Sequence, residues 1–589
     1  MKTGKNFARV AVTAGLTAAM ALGNVVAPAA MAFAADAGST VTFSDADYAM
    51  STTYKGIQIF KATVATTDGA ATLSNIEWAS DDAKAAVLDA IKAKDTSFAS
   101  DHAQDAADWL NANTGVDGTD SKVASDNVLS LIAANLEGKS GWETTSAGSP
   151  SLSGLDAGYW LFLTAAAGTP DGSSTDAFTS PVYAVIDGKS TTTVTPKKGV
   201  PTVEKKVLDD ADAVASDIKA SDKWKDVADS QIGQEVNYKL TGTIASNYAT
   251  FSTYAYKFTD VLSGGLDYVD DSVEVYALNN GAYTKIDTNH YSVNYADAGK
   301  TLTVEFKAGN GDKGLKDVDG VTADTQIVVF YRAKLNGSAV IGNAAEGNKG
   351  GNPNTVKLEY SNNPYAVGMG ETIEDTVADF AFKLNLNKVD QGTEKGLAGA
   401  VFTIQSDDAN TARQYVASKD AAGVVAGQLV TVTDANNLPD YVKFTSGNDG
   451  KIAVSGLDAG SYNVTEVQAP GDAYTKADPF TFTITPNYDD STMKVTSLTA
   501  AVSKADEGRT DIAFGTLDGT AGDHKLTGTE GTGTNAAAGE VTINVGNAKS
   551  VGLPITGLDG VTLTWVAGGA VLVIGVAHLI RSRREESEE

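Results

Sequence analysis

The sequence predicts a mainly β protein: three tandem immunoglobulin-like β-sandwich domains in a rod, the first with a helical insertion, between two processing segments. Three observations predict it. Apolar residues alternate at period two over most of the chain beyond residue 198, with Gly- and Asn-rich turns between the runs. Helical spacing is confined to one stretch nearer the N-terminus. The 589 residues include 59 Gly and no Cys, which is enough chain for three ordinary domains, none of them stapled by a disulfide.

The elements follow in chain order. Residues 1–34 form a signal peptide: Lys2, Lys5 and Arg9 precede the apolar run from Val10 to Val26, and Ala32-Phe33-Ala34 supplies small residues at a cleavage point. The chain is therefore expected to be exported with Ala35 as its new N-terminus. Residues 35–197 form the first domain. Tyr54, Ile57, Ile59 and Phe60 suggest a strand. Asp81 to Lys94 and Ala103 to Asn113 suggest helices, with Val87, Leu88 and Ile91 on one face and the spacing repeated by Val128, Leu131 and Ile132. Strands return at Gly158 to Leu163 and Val182 to Ile186.

Residues 198–379 form a middle sandwich, with alternation in Val236 to Leu240, Leu302 to Phe306 and Ile327 to Tyr331. Residues 380–549 repeat the pattern, opening with Phe380, Phe382, Leu384 and Leu386. The low-complexity patch Gly519 to Gly539 is expected to be a mobile loop. Residues 550–589 contain Leu553-Pro554-Ile555-Thr556-Gly557, then Val561 to Ile580 without Lys, Arg, Asp or Glu, then Arg581, Arg583 and Arg584. An apolar stretch of that length spans a bilayer, and the arginines hold its end in the cytoplasm.

Composition excludes several functions. With 45 Lys and Arg against 74 Asp and Glu, the net charge of −29 repels nucleic acid. The histidines, His102, His290, His524 and His578, are scattered, so no metal site and no cofactor is expected; Asp317-Val318-Asp319-Gly320 is taken as a solvated turn. A cysteine nucleophile is impossible. Carboxylate pairs are inevitable among so many acids and do not indicate a glycosidase.

One constellation carries chemistry. Lys388 continues the inward phase of Leu384 and Leu386, Glu466 shares a strand face with Tyr462 and Val464, and Asn547 shares one with Ile543 and Val545. A lysine, a glutamate and an asparagine aimed into one apolar core are costly unless they meet. Together they can react. Burial lowers the lysine pKa and raises that of the glutamate, so a neutral amine attacks the carboxamide while the acid shuttles protons and ammonia leaves. Fixed proximity supplies much of the acceleration.

The segment YNVTEVQAP resembles the E-box of sortase-assembled pilins, and residues 380–547 resemble a collagen-adhesin B-type domain. That resemblance gives Lys388, Glu466 and Asn547 the roles of amine, acid and amide; GDAY at Gly471 to Tyr474 departs from the family pattern. In the middle domain Lys205 is in phase with Val203 and Val207, while Lys206 should face solvent. LEYSNNP resembles the closing strand of pilin middle domains, which implies Asn362 as the bonded amide, with Asn363 as the alternative. Asp260 in FTDVLSGGL best matches the family's strand acid, a surface aspartate being the alternative. GLDAGYWLFL in the first domain has apolar residues where the acid would stand, so no bond is expected there.

Val194 to Pro201 is similar to the pilin motif, with Thr195 in place of the usual Tyr. The lysine after Pro196 is Lys197, the implied acceptor amine, and Lys198 is the alternative. The C-terminal segment is similar to a cell-wall sorting signal, which a sortase cuts between Thr556 and Gly557. The resemblance implies the major shaft pilin of a Gram-positive fimbria: a secreted structural subunit anchored to the wall, not a turnover enzyme. Its implied partners are a pilin sortase, a housekeeping sortase, other copies of itself, accessory pilins and peptidoglycan, with a host glycan or matrix ligand open. A monomeric wall-anchored adhesin, or a tip or base subunit, is the alternative.

Overall fold

The computed structural model describes residues 38–45, 51–67, 70–115, 123–169, 174–212, 218–343, 349–407, 414–515 and 534–550. The signal peptide, Leu553 to Gly557 and the apolar C-terminal segment lie outside them, as does most of the patch from Gly519 to Gly539. Its end is described, with the short strand Thr534–Asn535 paired to Glu540 and Val541. Among the described residues no helix is long and apolar enough to cross a membrane. Among the described residues the protein is mainly β, with 47% in strands and 12% helical.

In the N-terminal region, the strand Thr53–Thr67 lies between Ala70–Trp78 and Gly158–Ala166 in a five-stranded sheet. A three-stranded sheet built on Ser39–Phe43 accompanies it. The helices are Asp81–Lys94, Ala103–Asn113 and Val128–Leu136. Ser80 caps the first, its hydroxyl accepting from the Ala83 amide, with Asp81 and Asp82 in the first turn against the helix dipole. Val87, Ile91, Leu110 and Ile132 from these helices share one buried cluster with Ile57, Ile59, Phe60 and Leu161 of the sheet.

The middle region packs a seven-stranded sheet on a six-stranded one. The strand Glu235–Gly242 buries Val236, Tyr238 and Leu240 and turns its other face outward. Gln326–Leu335 lies between that strand and Glu274–Asn279, and Ile327 to Tyr331 are buried on both faces. The C-terminal region pairs a five-stranded with a seven-stranded sheet. In the first of these, Phe382–Asp390 runs parallel to Glu540–Asn547, with Lys388 opposite Val545 and Asp390 opposite Asn547.

Backbone bonds stitch the regions together. Phe178 N–H donates to Asn362 O at 2.7 Å and Ser125 N–H to Ala249 O at 2.9 Å. Further along, Ile232 N–H reaches Gly456 O at 3.1 Å. Gly456 has φ +84°, and a Cβ there would stand 2.1 Å from the Ile232 side chain, so only glycine admits this approach.

Candidate functional site

In the C-terminal region the parallel pairing sets Lys388 and Asn547 on adjacent strands, and the strand Gly460–Gln468 of the facing sheet brings Glu466 across the core. The Lys388 Nζ donates to Asn547 Oδ1, and to Val545 O at 3.1 Å. Asn547 Nδ2 donates to Glu466 Oε1 at 2.9 Å, while Glu466 Oε2 stands 3.8 Å from the amine and accepts from the Ala477 amide at 2.6 Å. The Lys388 and Glu466 side chains are 0% exposed. Burial lowers the Lys388 pKa from 10.5 to about 8, against the opposing pull of the Glu466 carboxylate. This geometry places an amine beside a carboxamide whose nitrogen already contacts a carboxyl group, the arrangement amide exchange requires.

The middle region assembles the same residue types differently. Lys205, 0% exposed on Val203–Leu208, donates to both Asp260 oxygens at 2.6 Å and to the Tyr331 hydroxyl at 2.9 Å. Its neighbour Lys206 turns away to an ion pair with Asp226. Burial lowers Lys205 to about 8, with Asp260 opposing. The amide reaching this cluster is Asn354, not Asn362. Asn354 Nδ2 donates to Tyr331 Oη at 2.7 Å, its Oδ1 has no hydrogen-bond partner among the described residues, and the residue is fully buried.

The expectation for Asn362 is therefore corrected, and the reason is register. Antiparallel pairing of Tyr256–Leu262 with Asn352–Ser361 sets Asp260 opposite Val356 and Leu262 opposite Asn354. Asn362, at the far end, lies about 27 Å along the strand from Asn354, at roughly 3.4 Å per residue. It is buried there in the seam with the N-terminal region, where its Nδ2 donates to Asp176 O at 3.3 Å. Asn363 follows it and its Oδ1 accepts from the Tyr365 amide. Sequence reasoning missed Asn354 and Tyr331. The signal was present in NPNTVKLEY, where Asn354 shares parity with Val356, Leu358 and Tyr360, but the resemblance pointed to the strand's other end. Burial and the Asp260 carboxylate raise the Tyr331 phenol well above its usual pKa, so it stays neutral.

Lys197 is half-buried at the seam, its backbone bridged to Ser180 and its N–H donating to Thr179 Oγ1 at 2.6 Å. Lys198 differs. Its side chain is 8% exposed, and its ammonium sits on Asp45 at 2.8 Å and on Asp176. Among the described residues no group of three or more His, Cys, Asp or Glu could hold a metal ion.

Residues 232–364 match the family model described as Gram-positive pilin backbone subunit 2, Cna-B-like domain. Residues 382–499 match that of SpaA, prealbumin-like fold domain. No curated protein sequence matches the chain at a significant level. Among solved structures, the T6 backbone pilin of serotype M6 Streptococcus pyogenes is similar at 14% identity and TM-score 0.48, covering 88% of this chain and 100% of that one. The major pilin SpaD of Corynebacterium diphtheriae is similar at 16% identity and TM-score 0.42, covering 87% and 98%. The major pilin subunit BcpA of Bacillus cereus is similar at 17% identity and TM-score 0.35, covering 69% and 89%. Two consecutive segments thus match, first the pilin-backbone Cna-B-like model and then the prealbumin-like SpaA model.

Proposed function

We propose that this chain is the repeating structural subunit of a covalent surface pilus. A pilin sortase cleaves between Thr556 and Gly557 of the LPITG segment, and the Lys197 amine of another copy takes the Thr556 carbonyl, so that head-to-tail contacts extend without closing into a ring. A housekeeping sortase attaches the finished fibre to peptidoglycan, and accessory pilins complete it. Within each copy, Lys388 joins Asn547 under Glu466, and Lys205 joins Asn354 under Asp260. These are single-turnover reactions of the protein on itself.

The observation that carries this reading is the Lys388–Glu466–Asn547 contact set, sealed from water in a region whose residues 382–499 match the SpaA prealbumin-like model, directly after a segment that matches the pilin-backbone model. In each reaction the lysine nitrogen bonds the asparagine Cγ, the Cγ–Nδ2 bond breaks, and the acid carries protons to the departing ammonia. Lys197 keeps the role implied by its place after Pro196, and the alternative is weakened because the Lys198 ammonium is enclosed by two carboxylates.

Intact-mass measurement of the mature chain, residues 35–556, tests the internal chemistry: each bond lowers the mass by about 17 Da, so two give about 34 Da. A mass equal to translation refutes it. Replacing Lys197 with Ala in the producing cell is expected to abolish the high-mass ladder of wall extracts on denaturing gels; a ladder that persists assigns the acceptor elsewhere.

A further inference from the structure

The Lys198 cluster has no role in the chemistry above, yet it is built like a reaction centre. The Lys198, Asp176 and Asp45 side chains are 8%, 0% and 9% exposed, so one ammonium and two carboxylates share a space closed to water. Asp176 is held from both sides: the Thr52 hydroxyl donates to Oδ2 at 2.6 Å and the Ala177 amide to Oδ1 at 2.8 Å. Asp45 accepts from the Tyr54 hydroxyl, which lies 3.2 Å from the Lys198 Nζ. An ordinary buried ion pair needs one acid. Among the described residues two acids face this one amine, and two close carboxylates favour a proton on one of them.

We propose that Lys198 and Asp176 form a third internal amide bond, with Asp45 as the proton carrier. The step goes beyond the two lysine–asparagine bonds, because its electrophile is a carboxyl group and its leaving group is water. The ammonium passes one proton to Asp176, giving a neutral amine beside a carboxylic acid. The Lys198 nitrogen then bonds the Asp176 Cγ. Asp45 takes a proton from that nitrogen and returns it to the departing hydroxyl, the Cγ–O bond breaks, and one water leaves. The Ala177 amide donates to Oδ1, where the oxyanion of the intermediate forms, and the Thr52 hydroxyl to Oδ2, the oxygen that leaves. Burial raises the Asp176 pKa, which supports the protonated form the step requires, although Lys198 opposes it.

The link would tie Lys198 to the segment that pairs with Asn362 and Glu371, fixing the backbone beside Lys197. It also revises the expectation that the first domain has no bond: its acid comes from Asp45, near the start of the domain, not from an E-box position.

Peptide mapping of the mature chain tests it. The expected result is a Lys198 peptide joined to the Asp176 peptide with about 18 Da missing, and a total deficit of about 52 Da. Asp45→Asn is expected to leave Lys198 unjoined while the Lys205 and Lys388 bonds persist. Asp176→Asn supplies a variant that keeps the shape: it still reacts, losing ammonia, so its product equals the wild-type mass although the translated chains differ by about 1 Da. An unjoined Lys198 beside intact Lys205 and Lys388 bonds overturns this proposal alone. A joined Lys198 with those two lysines free overturns the other reading and leaves this one standing.

Discussion

The C-terminal and middle sites bring the same residue types together from opposite arrangements. In the C-terminal region amine and amide sit on neighbouring parallel strands of one sheet, and the acid reaches across from the other. In the middle region acid and amide sit on neighbouring antiparallel strands, and the amine reaches across. The contacts differ accordingly. Glu466 bonds the Asn547 nitrogen directly, whereas Asp260 grips the lysine and meets Asn354 through the Tyr331 hydroxyl. What the two share is an amine sealed from water with its pKa lowered to about 8. The proposed chemistry thus asks for the closed polar trio more than for particular strands to deliver it.

The comparison can be broken most sharply by removing each amide. Asn547→Ala and Asn354→Ala should each restore about 17 Da of mass. Each should also lower stability by about 5 kcal/mol, the loop-entropy value for opening a closed loop of this length. Both are read by mass spectrometry and denaturant unfolding. Asn362→Ala should leave the deficit from the translated mass unchanged; a regained ammonia there would return the middle bond to Asn362. Next in size, Asp260→Ala strands a buried lysine without its counter-charge, and about 3–5 kcal/mol should be lost even when compared with an unbonded Asn354→Ala background.

A pH effect follows from the lowered lysine. In Asn547→Ala the Lys388 amine stays free, with its pKa down from 10.5 to about 8 because burial penalises its charge. The unfolded chain then binds more protons between those values, so stability should rise with pH from about 8 to 10.5, by on the order of 3 kcal/mol. The wild type, its amine consumed, should lack that slope; equal slopes would mean Lys388 is unreacted in both. Smallest is Tyr331→Phe, which removes a hydroxyl shared by Lys205 and Asn354 and should cost about 1 kcal/mol. It should slow the middle bond only, seen as a slower approach to the final mass, while the C-terminal bond forms at its usual pace.

Much of this architecture was legible in the sequence. Alternation at Val236 to Leu240 and Leu302 to Phe306 falls within strands, and the helices Asp81–Lys94 and Ala103–Asn113 sit where periodicity placed them. Parity along a strand also told Lys205 from Lys206, since a one-residue step reverses the face. Parity cannot tell position along a strand, however. Asn354 and Asn362 have the same phase, and only the pairing of Asp260 with Val356 separates them. The Asp45–Asp176–Lys198 cluster was invisible for a related reason: its members are far apart in sequence and join through contacts between elements that no local pattern encodes.

The parallel pairing of Phe382–Asp390 with Glu540–Asn547 has a mechanical consequence. A pull entering at Phe382 and leaving past Asn547 would slide these strands along each other, straining the whole ladder at once instead of peeling it rung by rung. If Lys388 is bonded to Asn547 as proposed, the pull would run down the first strand, cross at that joint and exit. The rest of the domain would then stay slack, outside the path that bears the load.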